Sequence, residues 1–137
     1  MTEKKLLQYP LLDNEPDALV SASGRPVTDI TLQAVTEGQL TVDDARVSAH
    51  NLSLQADIAE GEGRRELAAN FRRAAELTEL SEADILRVYN ALRPNRSTKE
   101  ELEQLVTELE DQWKAPLTAA LVQEALQAYA ARGCLSA

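Results

Sequence analysis

The stretch of sequence that decides the fold is TKEELEQLVTELEDQW, which runs from Thr98 to Trp113. Its apolar residues recur every three or four positions, at Leu102, Leu105, Val106, Leu109 and Trp113. A helix places residues with this spacing on one face. Thr98 followed by Glu101 is a capping-box pattern that starts a helix, and Ser97 followed by Glu100 offers a second start. The stretch therefore predicts an amphipathic α-helix with one buried face.

Three further helical patterns precede this stretch, and they cover residues 49–61, 64–80 and 82–93. Gly61 and Gly63 mark the end of the first pattern, because glycine is unfavourable inside a helix. Ser81 followed by Asp84 forms a capping pattern ahead of the third. We expect that third helix to stop at Arg93, since the residue before a proline is pushed out of helical geometry.

A last helix is predicted to begin at Pro116 and to end at Gly133. Proline suits the first helical position because the N–H that it lacks has no partner there. Glycine readily adopts the left-handed geometry that ends a helix. No run with the two-residue period of a strand competes with these helices. We therefore predict an all-α fold, a multi-helical bundle with an extended N-terminal arm.

The predicted arm covers residues 1–27, where Pro10, Pro16 and Pro26 interrupt any helical period. Each proline costs about 3 kcal/mol inside a helix. The arm has one apolar cluster, Tyr9-Pro10-Leu11-Leu12, which has to lie against this chain or another. Two short helical pieces follow, over 31–38 and from Thr41 onward. The predicted division is therefore an arm with two short helices, residues 1–47, and a helical domain, residues 48–137.

The composition limits the classes of partner. The chain has 137 residues, enough for a domain with its own core, and 23 acidic against 14 basic side chains give a net charge of −9. Such a chain repels nucleic acids and anionic membranes. No apolar run reaches the roughly 18 residues that a membrane span needs. Residues 31–54 loosely resemble a helix-turn-helix, but no basic residue follows Val47 until Arg64, so we do not expect a DNA reader.

The sequence contains few residues suited to catalysis. His50 is the one histidine and Cys134 the one cysteine, and no neighbours in sequence complete a metal site or activate the thiol. Adjacent acids such as Asp43 and Asp44 point about 100° apart on a helix, which prevents a shared acid–base site. A single cysteine favours a reducing, cytoplasmic compartment. We therefore predict no catalytic, cofactor-binding or metal-ligating residue in this chain.

Two groups of basic residues are exceptions in this acidic chain. The first is Arg64, Arg65, Arg72 and Arg73, and the second is Arg87, Arg93, Arg96 and Lys99. These groups pair either with the chain's own carboxylates or with a partner protein. The planar guanidinium of arginine suits interfaces better than the point charge of lysine. The residues alone leave both interpretations open and indicate a helical interaction subunit without its own active site.

Several motifs resemble the small (gamma) subunit of adenosylcobalamin-dependent diol and glycerol dehydratases. The most specific are NFRRAAEL from Asn70 to Leu77 and ILRVYNALRP from Ile85 to Pro94, followed by Arg96-Ser97. In the arm, Tyr9-Pro10-Leu11 and GRPVTDITL over residues 24–32 resemble the start of the family. The similarity extends from about Tyr9 to Tyr129, which is nearly the whole chain.

The resemblance implies a role as a non-catalytic subunit of a hydro-lyase. Enzymes of this family convert 1,2-propanediol or glycerol to an aldehyde with loss of water, by radical chemistry that adenosylcobalamin initiates. The cofactor is bound by the partner subunits and not by this chain. The implied partners are a large (alpha) and a medium (beta) subunit, assembled as a dimer of three-chain protomers. The small subunit docks on the large one and stabilises it.

Three departures from the family pattern limit what the resemblance implies. The chain begins close to its Tyr-Pro motif and lacks the N-terminal extension that some diol-type relatives use for packing into bacterial microcompartments. This favours the glycerol-type end of the family and puts encapsulation through this chain in doubt. Pro116 lies where relatives continue without proline, and the C-terminus lacks a lysine-rich tail.

The resemblance and the arginine groups together predict which residues touch the partner subunits. They are Tyr9, Leu11, Leu12, Arg72, Arg73, Tyr89, Arg93 and Arg96. The alternative is a stand-alone helical adaptor or regulatory protein that has no catalytic partner. Purification distinguishes the two, because the first chain copurifies with larger subunits and the second does not.

Overall fold

A computed structural model of the chain describes residues 7–137. Helices form there at nearly every position that the sequence predicts. Residues 1–6 of the predicted arm lie outside the described part. In chain order the helices are α1 (Leu11–Asn14), α2 (Leu32–Thr36), α3 (Val42–Ala45), α4 (Ala49–Gly61), α5 (Arg65–Leu77), α6 (Glu82–Ala91), α7 (Lys99–Asp111) and α8 (Pro116–Arg132).

The rest of the described arm is irregular, with two short 3-10 turns at Pro16–Ala18 and Val27–Asp29. Across residues 7–137 no strand forms, and an isolated bridge joins Val20 to Pro26. The prediction of an all-α fold is therefore confirmed. No helix in this part of the chain combines the length and the apolar character that crossing a membrane requires.

The start of α7 shows which of its two candidate caps operates. The Thr98 hydroxyl accepts a hydrogen bond from the Glu101 N–H at 3.2 Å, and the Glu101 carboxylate accepts one from the Thr98 N–H at 2.9 Å. Ser97 does not cap the helix, because its hydroxyl donates to the carbonyl of Ala91 at 2.9 Å. The capping box predicted at Thr98 is therefore confirmed.

Two helices end earlier than their predicted bounds. The pattern over 64–80 forms a helix only to Leu77, because the N–H groups of Glu79 and Leu80 bond to carbonyls three residues earlier instead of four. This tightening is typical of a last turn. Similarly α6 ends at Ala91, and the N–H of Arg93 bonds to the carbonyl of Asn90.

The chain divides into two compact units, residues 1–75 (unit 1) and residues 76–137 (unit 2). Each unit has its own buried cluster and is described by itself. The predicted division has its boundary elsewhere, between an arm of residues 1–47 and a helical domain of residues 48–137. That division stays a prediction.

Unit 2 is built on the packing of α7 against α8. The leucines predicted on the buried face of α7 are buried, and they meet small and branched residues of α8. The buried cluster consists of Val88, Leu102, Leu105, Leu109, Ala115, Ala119, Val122 and Leu126. Leucine facing alanine lets the two helices approach closely without leaving a gap. Apolar burial of this cluster is therefore the main source of stability in unit 2.

The C-terminal residues of unit 2 bond to the turn that follows α6. The Tyr129 hydroxyl donates to the Leu92 carbonyl, and the Ser136 N–H donates to the Ser97 carbonyl at 2.8 Å. The carbonyl of Cys134 accepts from the N–H of Asn95 at 2.7 Å. The end of the chain is thereby tied to the loop that carries Arg93 and Arg96.

Unit 1 combines a small apolar cluster with a polar one. The apolar cluster lies between α4 and α5 and consists of Ala56, Ala59, Ala68 and the partly buried Phe71. The polar cluster, here called the Asp44 network, is made of Ser21, Ser23, Arg25, Thr41 and Asp44. Asp44 is buried, and its two carboxylate oxygens accept hydrogen bonds from all four of the other members.

Candidate interaction surfaces

The histidine and the cysteine of this chain both lie in structural surroundings. In residues 7–137, no three His, Cys, Asp or Glu side chains are placed so that they could hold a metal ion. His50 is occupied structurally, since its Nε2 lies 2.9 Å from the carbonyl oxygen of Ala18. Cys134 is partly buried, and its Sγ lies 3.8 Å from the carbonyl of Arg132.

The apolar cluster of the arm is split between the interior and the surface. Leu11 is buried inside unit 1, whereas Tyr9 and Leu12 are exposed. Tyr9 also borders an open cleft of about 690 Å³ in unit 1, together with Leu67 and Phe71. Leu11 thus holds the arm to its own unit, and the other three members, Tyr9, Pro10 and Leu12, remain accessible to a partner.

The two predicted arginines of α5 bond within unit 1. Arg72 pairs with Glu60 at 2.5 Å and with Asp57 at 3.4 Å, and the carboxylate of Glu60 raises the pKa of Arg72. Arg73 donates to the side-chain oxygen of Asn70. The interpretation of intrachain pairing therefore holds for Arg72, which orients α5 against α4 as well as offering donors at the surface.

The predicted residues of unit 2 are all exposed. Tyr89 keeps 64 % of its surface accessible, and Ile85 and Leu86 on the same helix are exposed as well. Arg93 and Arg96 lie on the loop that follows, and no carboxylate within the described part of the chain pairs with either one. We call this set, Ile85, Leu86, Tyr89, Arg93 and Arg96, the α6 surface.

Arg87 belongs to the same basic group in sequence but has a different role. It forms a bidentate pair with Glu108 of α7 and lies over the ring of Trp113, 5.7 Å from its centroid. This pairing raises the pKa of Arg87 and lowers the pKa of Glu108. Arg87 therefore joins α6 to α7, whereas Arg93 and Arg96 are left available.

Four exposed apolar residues of unit 1 were not among the predicted contact residues: Leu32, Val35, Val42 and Val47. The pattern around them was recognised as two short helical pieces, and α2 and α3 do form there. The sequence does contain a signal for them. A helix of four or five residues has little stability of its own and few buried positions, so several large apolar residues in and beside it indicate a surface for another protein.

A carboxylate from outside the helix caps α8 and fixes the second half of unit 2. Ala115 at the N-cap position has no side-chain acceptor, and the carboxylate of Glu76 takes its place. Glu76 accepts from the N–H of Leu117 at 2.9 Å, and from the N–H and hydroxyl of Thr118 at 2.8 Å each. A negative charge at this end also interacts favourably with the helix dipole.

Substitution of Glu76 by alanine tests this cap. We expect the free energy of unfolding to fall by about 1–2 kcal/mol, as for loss of an N-cap, because two backbone N–H groups lose their acceptor. Chemical denaturation measures the change. Glu79→Ala is the matched control, since Glu79 is exposed and only its backbone N–H is bonded. Equal losses in the two variants would contradict the role of the Glu76 carboxylate.

Comparison with known proteins identifies the family of this chain. The family model of the dehydratase small subunit matches residues 4–136. The propanediol dehydratase small subunit of Citrobacter freundii is 43 % identical over 128 residues, which are 93 % of this chain and 74 % of that relative. The propanediol dehydratase small subunit of Salmonella typhimurium (strain LT2) is 44 % identical over the same shares.

The chain belongs to the dehydratase small-subunit family. The resemblance found in the sequence is thereby confirmed. A member of this family works in a complex with larger dehydratase subunits, so exposed apolar residues and arginines without a carboxylate partner have a ready explanation as contact surfaces. The residue-by-residue assignment of those contacts stays a prediction, as does the kinship with glycerol-type enzymes.

Proposed function

We propose that this chain is the small subunit of a coenzyme-B12-dependent dehydratase that converts 1,2-propanediol or glycerol to an aldehyde. In this proposal it stabilises the large catalytic subunit and contributes no reacting group. Its partners are the large (alpha) and medium (beta) subunits, in a dimer of three-chain protomers. The enzyme acts in the bacterial cytoplasm, and enclosure in a microcompartment is left open.

The observation that supports this proposal best is the α6 surface. Tyrosine and arginine are the residue types that contribute most to binding at interfaces. Here an exposed Tyr89 stands next to apolar side chains of α6, and the neighbouring Arg93 and Arg96 have no carboxylate partner among the described residues. Such a surface fits a partner that offers an apolar depression with carboxylates or carbonyls at its rim.

The described residues do not fit adenosylcobalamin, which supplies the radical when it is bound to the enzyme. The imidazole of His50, the one histidine of the sequence, is the side chain best suited to ligate a transition metal. Its Nε2 lies 2.9 Å from the Ala18 carbonyl oxygen instead. The proposal therefore places the cofactor on the partner subunits, and no step of this chain's role runs through it.

Reconstitution of the enzyme tests the proposal. The larger subunits are produced with and without this chain, and dehydratase activity is measured with adenosylcobalamin and either diol. We expect active complexes only when this chain is present. Undiminished activity of a stable assembly that lacks it would overturn the stabilising role. Purification of this chain without any dehydratase subunit would instead support the adaptor alternative.

Substitutions on the α6 surface locate the contact. We expect Tyr89→Ala and Arg93→Ala each to weaken binding to the larger subunits about 10- to 30-fold, the loss of one interface anchor. Arg132→Ala is the control, since Arg132 is also exposed but lies at the end of α8. Binding is measured by titration of the larger subunits with labelled small subunit. Wild-type affinity in both α6 variants would remove this surface from the interface.

A further inference from the structure

The segment from residue 32 to residue 47 of unit 1 has its burial inverted. Four of its five large apolar side chains point to solvent: Leu32 is 79 % exposed, Val35 57 %, Val42 74 % and Val47 64 %, whereas Leu40 is half-buried. The buried residues of the same stretch are Ala34 and the carboxylate of Asp44. Single exposed apolar residues are ordinary on a protein surface, but four in one short stretch around a buried carboxylate are not. We call residues 32–47 the inverted segment.

Polar groups hold the inverted segment in place, so its apolar residues are not needed for that purpose. The Asp44 carboxylate accepts from the Thr41 N–H at 2.8 Å and from the Ser21 hydroxyl at 3.1 Å. Arg25 adds a bond from its guanidinium to the carbonyl of Gln39 at 2.9 Å. The Asp44 network therefore fixes the conformation of the segment. In this conformation Leu32 and the three valines are accessible.

Helix α2 presents part of this apolar surface in a defined arrangement. Leu32 and Val35 are three residues apart, which places them next to each other on one side of the helix. The Thr31 hydroxyl accepts from the Ala34 N–H at 3.1 Å and fixes the start of α2. Five helical residues have little stability of their own, so a capped α2 with two outward apolar side chains is suited to present them to another protein.

The charges around the segment indicate which protein covers it. Asp29 and Glu37 flank α2, and neither has a lysine or arginine partner among the described residues; Glu37 accepts only from amide groups of Gln33 and Gln39. A second copy packed symmetrically through the same segment would bring Asp29 and Glu37 against their own counterparts. A larger dehydratase subunit with an apolar patch and a lysine- or arginine-rich rim fits instead.

We infer that the inverted segment is a second docking surface, on which a larger dehydratase subunit covers Leu32, Val35, Val42 and Val47. The inference rests on the proposed function and adds to the α6 surface an area in the other unit. Standard protein interfaces take about 800 Å² from each partner. Four side chains therefore form the apolar centre of a larger contact area.

The double variant Leu32→Ser/Val35→Ser tests the inference in the full chain. We expect its affinity for the larger subunits to fall at least about tenfold, because burial of two large apolar side chains is lost. The melting temperature of the variant should equal that of the wild type, since both side chains are exposed. Gln33→Ala/Thr36→Ala is the matched control on the same helix, and its affinity should be unchanged.

The outcomes separate this inference from the proposed function. If the wild type assembles, the α6 variants weaken assembly and the double variant binds normally, the second surface is wrong while the proposed function stands. Failure of the wild type to assemble at all contradicts the proposed function itself. Self-association of the wild type that the double variant abolishes would replace the larger subunit by a second copy.

Substitution of the two flanking acids tests the charge of the partner surface. We expect Asp29→Lys/Glu37→Lys to slow association with the larger subunits several-fold at low ionic strength, and the difference to disappear at high salt. Stopped-flow mixing of labelled subunits measures the rate. Faster association of this variant would mean that the partner surface is acidic and would overturn the assignment of its rim.

Discussion

Replacement of Leu109 by alanine lowers the free energy of unfolding by about 3–5 kcal/mol, the range found when a fully buried leucine is truncated. Leu109 is 0 % exposed and lies in the cluster between α7 and α8. Its neighbours on α8 include Ala119 and Val122, which are too small to move into the space of the missing side chain. A cavity therefore remains, and its cost adds to the lost transfer energy.

Denaturation in urea of the wild type and the variant measures this effect. Leu121→Ala is the control, because Leu121 lies on α8 but is 37 % exposed and loses less buried area. We expect it to cost less than Leu109→Ala, because less buried area is lost and solvent reaches the vacated space. If the two substitutions cost the same, α7 and α8 do not pack as described.

The second large effect is expected at Asp44. The hydroxyl of Ser23 and the N–H of Thr41 hold the pKa of this carboxyl well below its usual range. Because the folded-state pKa is depressed, the network stabilises the fold fully above the ordinary aspartate pKa of about 4 and less as the pH falls below it. Asp44→Asn removes the charge and replaces one of the two acceptor oxygens by a donor.

We expect Asp44→Asn to lower the melting temperature by about 5–10 °C at pH 7, the scale of one to two lost charge-assisted hydrogen bonds in a small domain. The difference from the wild type should shrink between pH 4 and pH 2, because the Asp44 carboxyl of the unfolded chain then takes up a proton while that of the folded chain stays ionised. Asp43→Asn is the control on the adjacent exposed residue, which pairs only with Arg46. A difference that stays constant with pH would contradict the ionised state of Asp44.

The helices of unit 2 could be predicted from sequence because their signals are local. Thr98 and Glu101 form the cap of α7 across three residues, and the leucines of α7 repeat with the period of the helix. The cap of α8 could not be predicted in the same way. Glu76 lies 41 residues before Leu117 in the chain, and nothing near either residue indicates that the two will meet.

The candidate surfaces were only partly predictable for a related reason. Arg72 and Arg93 each belong to a basic group of the sequence, yet Arg72 finds Asp57 and Glu60 on a neighbouring helix and Arg93 finds no carboxylate among the described residues. Only the tertiary structure separates the two. Likewise Val42 is apolar in a helical pattern, and the pattern cannot say whether the side chain faces its own core or another protein.

The inverted segment has a consequence for the living cell. Under the inference drawn above, a copy made in excess of the larger subunits keeps Leu32, Val35, Val42 and Val47 uncovered, and apolar side chains exposed together are an aggregation liability. Matched rates of synthesis of the small subunit and its larger partners are then the condition under which such a surface can be tolerated.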